Sequence, residues 1–111
     1  MKRYCLGLGL VADDRLIAEY EEIHQAIWPE IKASILESGI TDMEIYRVGT
    51  LLFMIMDTDE SFTFTKKAEM DAGNPKVQEW EELMWKYQQA LPSAKPGEKW
   101  VLMDRIFELN K

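Results

Sequence analysis

Between residues 4 and 11 the chain alternates large and small side chains. Tyr4, Leu6, Leu8 and Leu10 fall on one parity, and Cys5, Gly7, Gly9 and Val11 on the other. A period of two predicts a strand, here with one bulky apolar face and one nearly bare face. Glycines at successive positions of a strand face strip side chains from the sheet where a ligand, another backbone or a tightly packed helix comes close. Asp13 or Asp14 can cap the next element, in which Leu16, Tyr20, Ile23, Ile27 and Ile31 recur at helical spacing with polar residues between them. This periodicity predicts one helix running to Gly39, where Ser38-Gly39 supplies a left-handed stop.

Residues 43–48 and 51–56 are two apolar, strand-like runs. Val48-Gly49-Thr50 joins them as a tight antiparallel hairpin. Residues 57–72 are polar with Phe62 and Phe64 embedded, which predicts a loop and a short helix whose phenylalanines tuck under. Asn74-Pro75 joins an Asn cap to a first-turn proline. The stripe Trp80, Leu83, Met84, Tyr87 and Leu91 then predicts a second long helix. Residues 92–97 read as a loop and residues 100–109 as a final strand with Trp100, Leu102 and Ile106 on one face. The order β-α-β-β-α-β defines an α+β, ferredoxin-like domain spanning residues 1–111, a four-stranded antiparallel sheet with helices on one face. The other face needs a cover, which a partner subunit, the 57–72 excursion or a ligand can supply; a homodimer is expected.

Composition narrows the function. Apolar residues make up 47% of the 111 positions and charged residues 30%, enough for a core without metal or disulfide staples. The formal net charge of −7 repels polyphosphates and anionic lipid surfaces, so neither nucleic acid nor membrane is an expected partner. The first residues read as a strand rather than a signal, and the single Cys5 fits a reducing compartment, making the cytoplasm the expected location.

The chain has one histidine, His24, and it lies far from Cys5 in sequence, which leaves no set of ligands for a catalytic zinc. No G-x-S-x-G nucleophile elbow is present, and Gly7-Leu8-Gly9 lacks the third glycine of a phosphate loop. Neither a metal nor a cofactor is expected, and general acid/base chemistry remains. Tyr20, His24 and Trp28 stand four apart, so a phenol, an imidazole and an indole share one helical ridge that can grip a small polar ring. The second helix adds Trp80, able to close a pocket over that ridge, and Met43, Met54 and Met56 suit an adaptable apolar floor. Packing alone explains such an aromatic stripe equally well.

The block Glu19-Tyr20-x-x-x-His24-x-x-Ile27-Trp28-Pro29-Glu30 is followed by Ile45-Tyr46, Leu51-Leu52-Phe53-Met54, Val77-Gln78-Glu79-Trp80 and Phe107-x-Leu109. Together these resemble the L-rhamnose mutarotase family over nearly the whole chain. The resemblance implies a ferredoxin-like dimer that interconverts the α and β anomers of a deoxy-hexose without a cofactor. It gives His24 the place of the family's proton donor and Tyr20 that of its substrate-binding phenol. Trp80 is similar to the first of two adjacent sugar-binding tryptophans. The second of these is Glu81 here, and a tyrosine that the family carries two places before Ile45 is Met43; both positions belong to the implied sugar pocket. The run Asp42-Met43-Glu44-Ile45-Tyr46-Arg47 resembles the branch associated with L-fucose, which favours fucose over rhamnose. In this reading His24 moves one proton during ring opening, Tyr20 orients or assists the other transfer, and Trp80 and Trp28 shape the pocket, with Glu81 as an acceptor for a sugar hydroxyl. Two rivals stand beside it: a haem-type monooxygenase with His24 as axial ligand, and a non-catalytic dimeric binding module in which the aromatic ridge only packs.

Overall fold

The computed structural model describes residues 1–110. Strand β1 (Lys2–Leu10) leads into helices α1 (Asp14–Gln25) and α2 (Pro29–Glu37), then strands β2 (Ile40–Val48) and β3 (Leu51–Thr58). Helices α3 (Phe64–Ala72) and α4 (Pro75–Met84) follow, and two short strands, β4 (Gln88–Gln89) and β5 (Val101–Leu102), end the ordered pattern. The sheet is antiparallel with order β2-β3-β1-β4, and β5 also pairs with β1. This is the expected ferredoxin-like α+β arrangement, with β1 pairing β3 from Lys2↔Thr58 to Gly9↔Leu51.

The period of two in β1 and β3 builds the core. Leu6, Leu8, Leu10, Leu52, Met54 and Met56 are buried on one face. Against Leu8, Leu10 and Leu52 pack Tyr20 of α1, Ile31 of α2 and Val77, Trp80 and Met84 of α4. Leu8 is fully buried, and sequestering such a side chain is worth about 1.5–3 kcal/mol. The caps follow the sequence: Asp13 Oδ1 accepts from the Leu16 amide at 3.0 Å, Asn74 Oδ1 accepts from Lys76 and Val77, and Gly39 takes φ 101° after α2.

Three expectations are corrected. The first helix is two helices, because Pro29 cannot donate an amide and forces Trp28 to an extended conformation with ψ 136°. The second long helix stops at Met84. Two tight turns bring the Lys86 and Tyr87 amides back to Leu83 and Met84, and Gln88 then pairs with Leu10 across the sheet edge. Strand pairing has overridden the helical stripe, so Tyr87 is buried from a turn and Leu91 lies beyond the helix. The final strand is reduced to Val101–Leu102. After Met103, whose amide donates to the Cys5 carbonyl at 2.8 Å, the chain leaves β1. Beyond it Arg105 and Glu108 form an exposed ion pair at 2.9 Å, and Ile106, Phe107 and Leu109 stand exposed.

The bare face of β1 is explained by another part of the chain. A Cβ on Gly9 would sit 2.6 Å from the Gln89 carbonyl oxygen, and one on Gly7 would sit 2.8 Å from the Met103 methyl. The 57–72 excursion covers the helical side instead: Phe62 is buried among Leu6, Ile40, Met54 and Met56, while Phe64 stays partly exposed.

Candidate active site

A cavity of about 520 Å³ opens between the helices and the helical face of the sheet. Its floor is apolar, with Leu6, Ile31, Met54 and Met56 among the lining residues, and Met43 and Ile45 come from β2. Tyr20, His24, Trp80, Glu81 and Gln88 also line it. This mixture of apolar walls and a few convergent polar groups is what small-molecule sites require.

Tyr20 and His24 are one turn apart on α1, and their rings are in contact, with centroids 4.2 Å apart and planes tilted by 35°. The α1–α2 break at Pro29 follows immediately, so the ridge ends at a helix terminus rather than continuing to Trp28. His24 Nδ1 lies 2.8 Å from the Tyr20 carbonyl oxygen. A carbonyl can only accept, so Nδ1 carries the hydrogen, and the neutral ring keeps its lone pair on Nε2. Burial holds the His24 pKa below its ordinary value, with the backbone hydrogen bond opposing in part, so the neutral ring predominates near pH 7. Burial pushes the Tyr20 phenol up, a nearby Glu81 adds to this, and a hydrogen bond from Gln88 opposes it. The phenol is a proton donor at neutral pH.

Trp80 forms a wall, with its indole 5.5 Å from the His24 ring in edge contact. Trp28 does not line the cavity; it packs edge-on against Trp80 at 5.2 Å and backs that wall. Glu81 lines the cavity, but its Oε2 is 2.9 Å from Lys99 Nζ, and Lys99 also lies over the Trp85 ring at 4.7 Å. Six polar lining residues escape sequence reasoning: Ser34, Lys67, Asp71, Gln88, Glu98 and Lys99. Lys99 arrives from the last loop, and no local pattern announces that contact. Gln88 is a polar interruption in an apolar stripe, and the assumption of helix there hid its direction.

A ferredoxin-like α+β scaffold thus holds an imidazole and a phenol in the wall of a largely apolar cavity, an arrangement able to move protons on a small bound molecule. The family model described as L-rhamnose mutarotase matches residues 3–109. An L-fucose mutarotase from Xanthomonas campestris pv. campestris is 46% identical over all of this chain and 90% of its own length. An L-rhamnose mutarotase from Bacteroides thetaiotaomicron is 34% identical over 71% of this chain and 74% of its own. The crystal structure of an L-rhamnose mutarotase from Formosa agariphila superposes with a TM-score of 0.72 at 19% identity, covering 98% of this chain and 99% of that one. The chain belongs to the L-rhamnose mutarotase family, a class of carbohydrate isomerases. That membership, rather than the fold, decides against the haem-monooxygenase and passive binding readings.

Proposed function

We propose that the protein interconverts the α and β anomers of a 6-deoxy-L-hexose, L-fucose ahead of L-rhamnose, with His24 and Tyr20 moving the protons. The observation that carries this reading is the His24 Nδ1 contact to the Tyr20 carbonyl, which leaves Nε2 as a base beside a protonated phenol. Nε2 takes the proton of the anomeric hydroxyl while the Tyr20 phenol gives its proton to the ring oxygen; the C1–O5 bond breaks and the open-chain aldehyde forms. Rotation about C1–C2 presents the other carbonyl face. On closure the C5 hydroxyl returns its proton to the Tyr20 phenolate, and the His24 imidazolium, now the donor, protonates O1. The C6 methyl of a deoxy sugar suits the floor of Leu6, Ile31 and Met54 better than a hydroxymethyl would. Trp80 offers its indole to the sugar's C–H face, with Trp28 behind it.

The preference for fucose rests on 46% identity to a protein named L-fucose mutarotase against 34% to one named for rhamnose. Met43 and Glu81, where the chain departs from the family's pattern, both line the cavity. With Lys99 bound to Glu81, the pair presents a charged wall where the resemblance would place a second indole. Saturation-transfer NMR on L-fucose and L-rhamnose side by side is expected to show protein-dependent anomer exchange for both, faster for fucose. Exchange no faster than in buffer for both sugars rejects the reading, and a faster rhamnose rate rejects the preference.

The same reading includes a homodimer. The sheet face away from the helices carries Phe53, Ile55 and the exposed Tyr46 and Leu51, and the exposed Ile106, Phe107 and Leu109 add apolar surface. Apolar surface of this extent marks an interface, and a second copy is its proposed cover. Light scattering is expected to give twice the 13.0 kDa chain mass at micromolar concentration; the mass of a single chain rejects the dimer.

A further inference from the structure

Gln88 is unusual among the cavity residues. It is buried on β4, and its Nε2 donates to the Tyr20 hydroxyl oxygen at 3.3 Å. Its Oε1 is the one buried side-chain polar atom among the described residues that has no hydrogen-bond partner. Buried polar groups are nearly always satisfied, and an unpartnered oxygen on a cavity-lining residue is free to accept from a molecule bound there. An oxygen that accepts the Gln88 bond keeps its own hydrogen free, so the amide turns the phenol's proton away from itself and toward the cavity.

We propose that Gln88 is the positioning residue for Tyr20, directing the phenol's proton to the sugar ring oxygen and steadying the phenolate that transfer creates, while its Oε1 accepts one hydroxyl of the bound monosaccharide. The inference rests on the acid role given to Tyr20 above. A donor aimed at the phenol oxygen favours its anionic form, the charge Tyr20 carries after it has given up its proton. The titratable and charged neighbours of the phenol are His24, in ring contact with it, Glu81 of α4, and Tyr87, whose ring centroid is 6.0 Å away. None of these donates to the phenol oxygen, so Gln88 is the hydrogen-bond donor to the anion, beside the charge of the His24 imidazolium.

The test uses Gln88→Met, close in volume and without the amide, with Gln88→Asn as a second variant that keeps the amide but retracts it. Each is combined with Tyr20→Phe, and folding is checked by NMR. Gln88→Met is expected to lower kcat for L-fucose about ten-fold and to raise KM. In the Tyr20→Phe background kcat falls no further while KM still rises. A merely structural role lowers kcat by the same factor in both backgrounds, and that result overturns the positioning role; an unchanged KM overturns the hydroxyl contact. Independently of activity, the Tyr20 phenol, followed by carbon NMR of ring-labelled tyrosine, is expected to titrate at higher pH in Gln88→Met than in the wild type. An unmoved titration in both variants overturns the proposal. Wild-type protein that accelerates no sugar, with a shifted Tyr20 titration, locates the failure in the mutarotase reading and not in the Gln88–Tyr20 contact.

Discussion

His24→Ala is expected to lower catalysed anomer exchange by about 10²–10⁴-fold while leaving the sheet and helices intact. The magnitude is that of a lost general base, and no second imidazole exists to substitute for it. Its hydrogen-bond partner is the Tyr20 carbonyl one turn earlier on the same helix, so removing the ring leaves no distant polar group unpaired. The pH profile carries the same assignment. In the proposed mechanism catalysis starts from the neutral ring, which is lost as pH falls through the His24 pKa, and burial has moved that pKa below its ordinary 6.5. The acid limb of kcat/KM therefore lies below pH 6.5. The alkaline limb lies above 10, because the phenol is held protonated by burial. Stability follows the same sign: the folded state resists protonating His24, so this contribution is complete above pH 6.5 and is lost as pH falls below it. Saturation-transfer rates between pH 5 and 8 check the profile. An acid limb above 6.5, or a His24→Ala variant with full activity, removes His24 from the mechanism.

The legible part of the structure was the part specified locally. Alternation marked β1 and the hairpin, Asp13 and Asn74 marked helix starts, and the Tyr20–His24 spacing marked two neighbours in the cavity wall, because each signal lies within one turn or one strand. The features that escaped are decided at a distance. The helical stripe through Tyr87 and Leu91 was real as a pattern, yet residues 88 and 89 gain more by pairing with Gly9 and Leu10 than by continuing α4. Nothing near Lys99 announces Glu81, eighteen positions earlier. Trp28 shows the converse error: four-residue spacing put it on the ridge, but Pro29 breaks the helix one residue later, and the indole ends behind Trp80. A periodicity argument holds only while the element that carries it is unbroken.

Gly9→Val joins the fold to the chemistry. The new Cβ would stand 2.6 Å from the Gln89 carbonyl oxygen and 3.6 Å from the Gln89 carbonyl carbon, and backbone atoms cannot rotate aside as a side-chain tip can. The relief available is for β4 to move off β1. Because Gln88 is the neighbour of Gln89 and pairs with Leu10, that movement withdraws the amide from the Tyr20 hydroxyl. Overpacking of this kind costs about 1–3 kcal/mol, a fall of roughly 4–8 °C in Tm for each kcal/mol in a domain of this size. The variant is thus expected to lose stability and most of its kcat together, although residue 9 touches no substrate. Gly73→Ala is the control: its Cβ would meet no atom nearer than 3.7 Å, and both properties should stay at wild-type levels. Thermal denaturation and anomer-exchange rates on the two proteins decide the matter. A Gly9→Val protein with reduced Tm and undiminished kcat would show that β4 can shift without disturbing the phenol, and would break the link from the bare strand face to the acid.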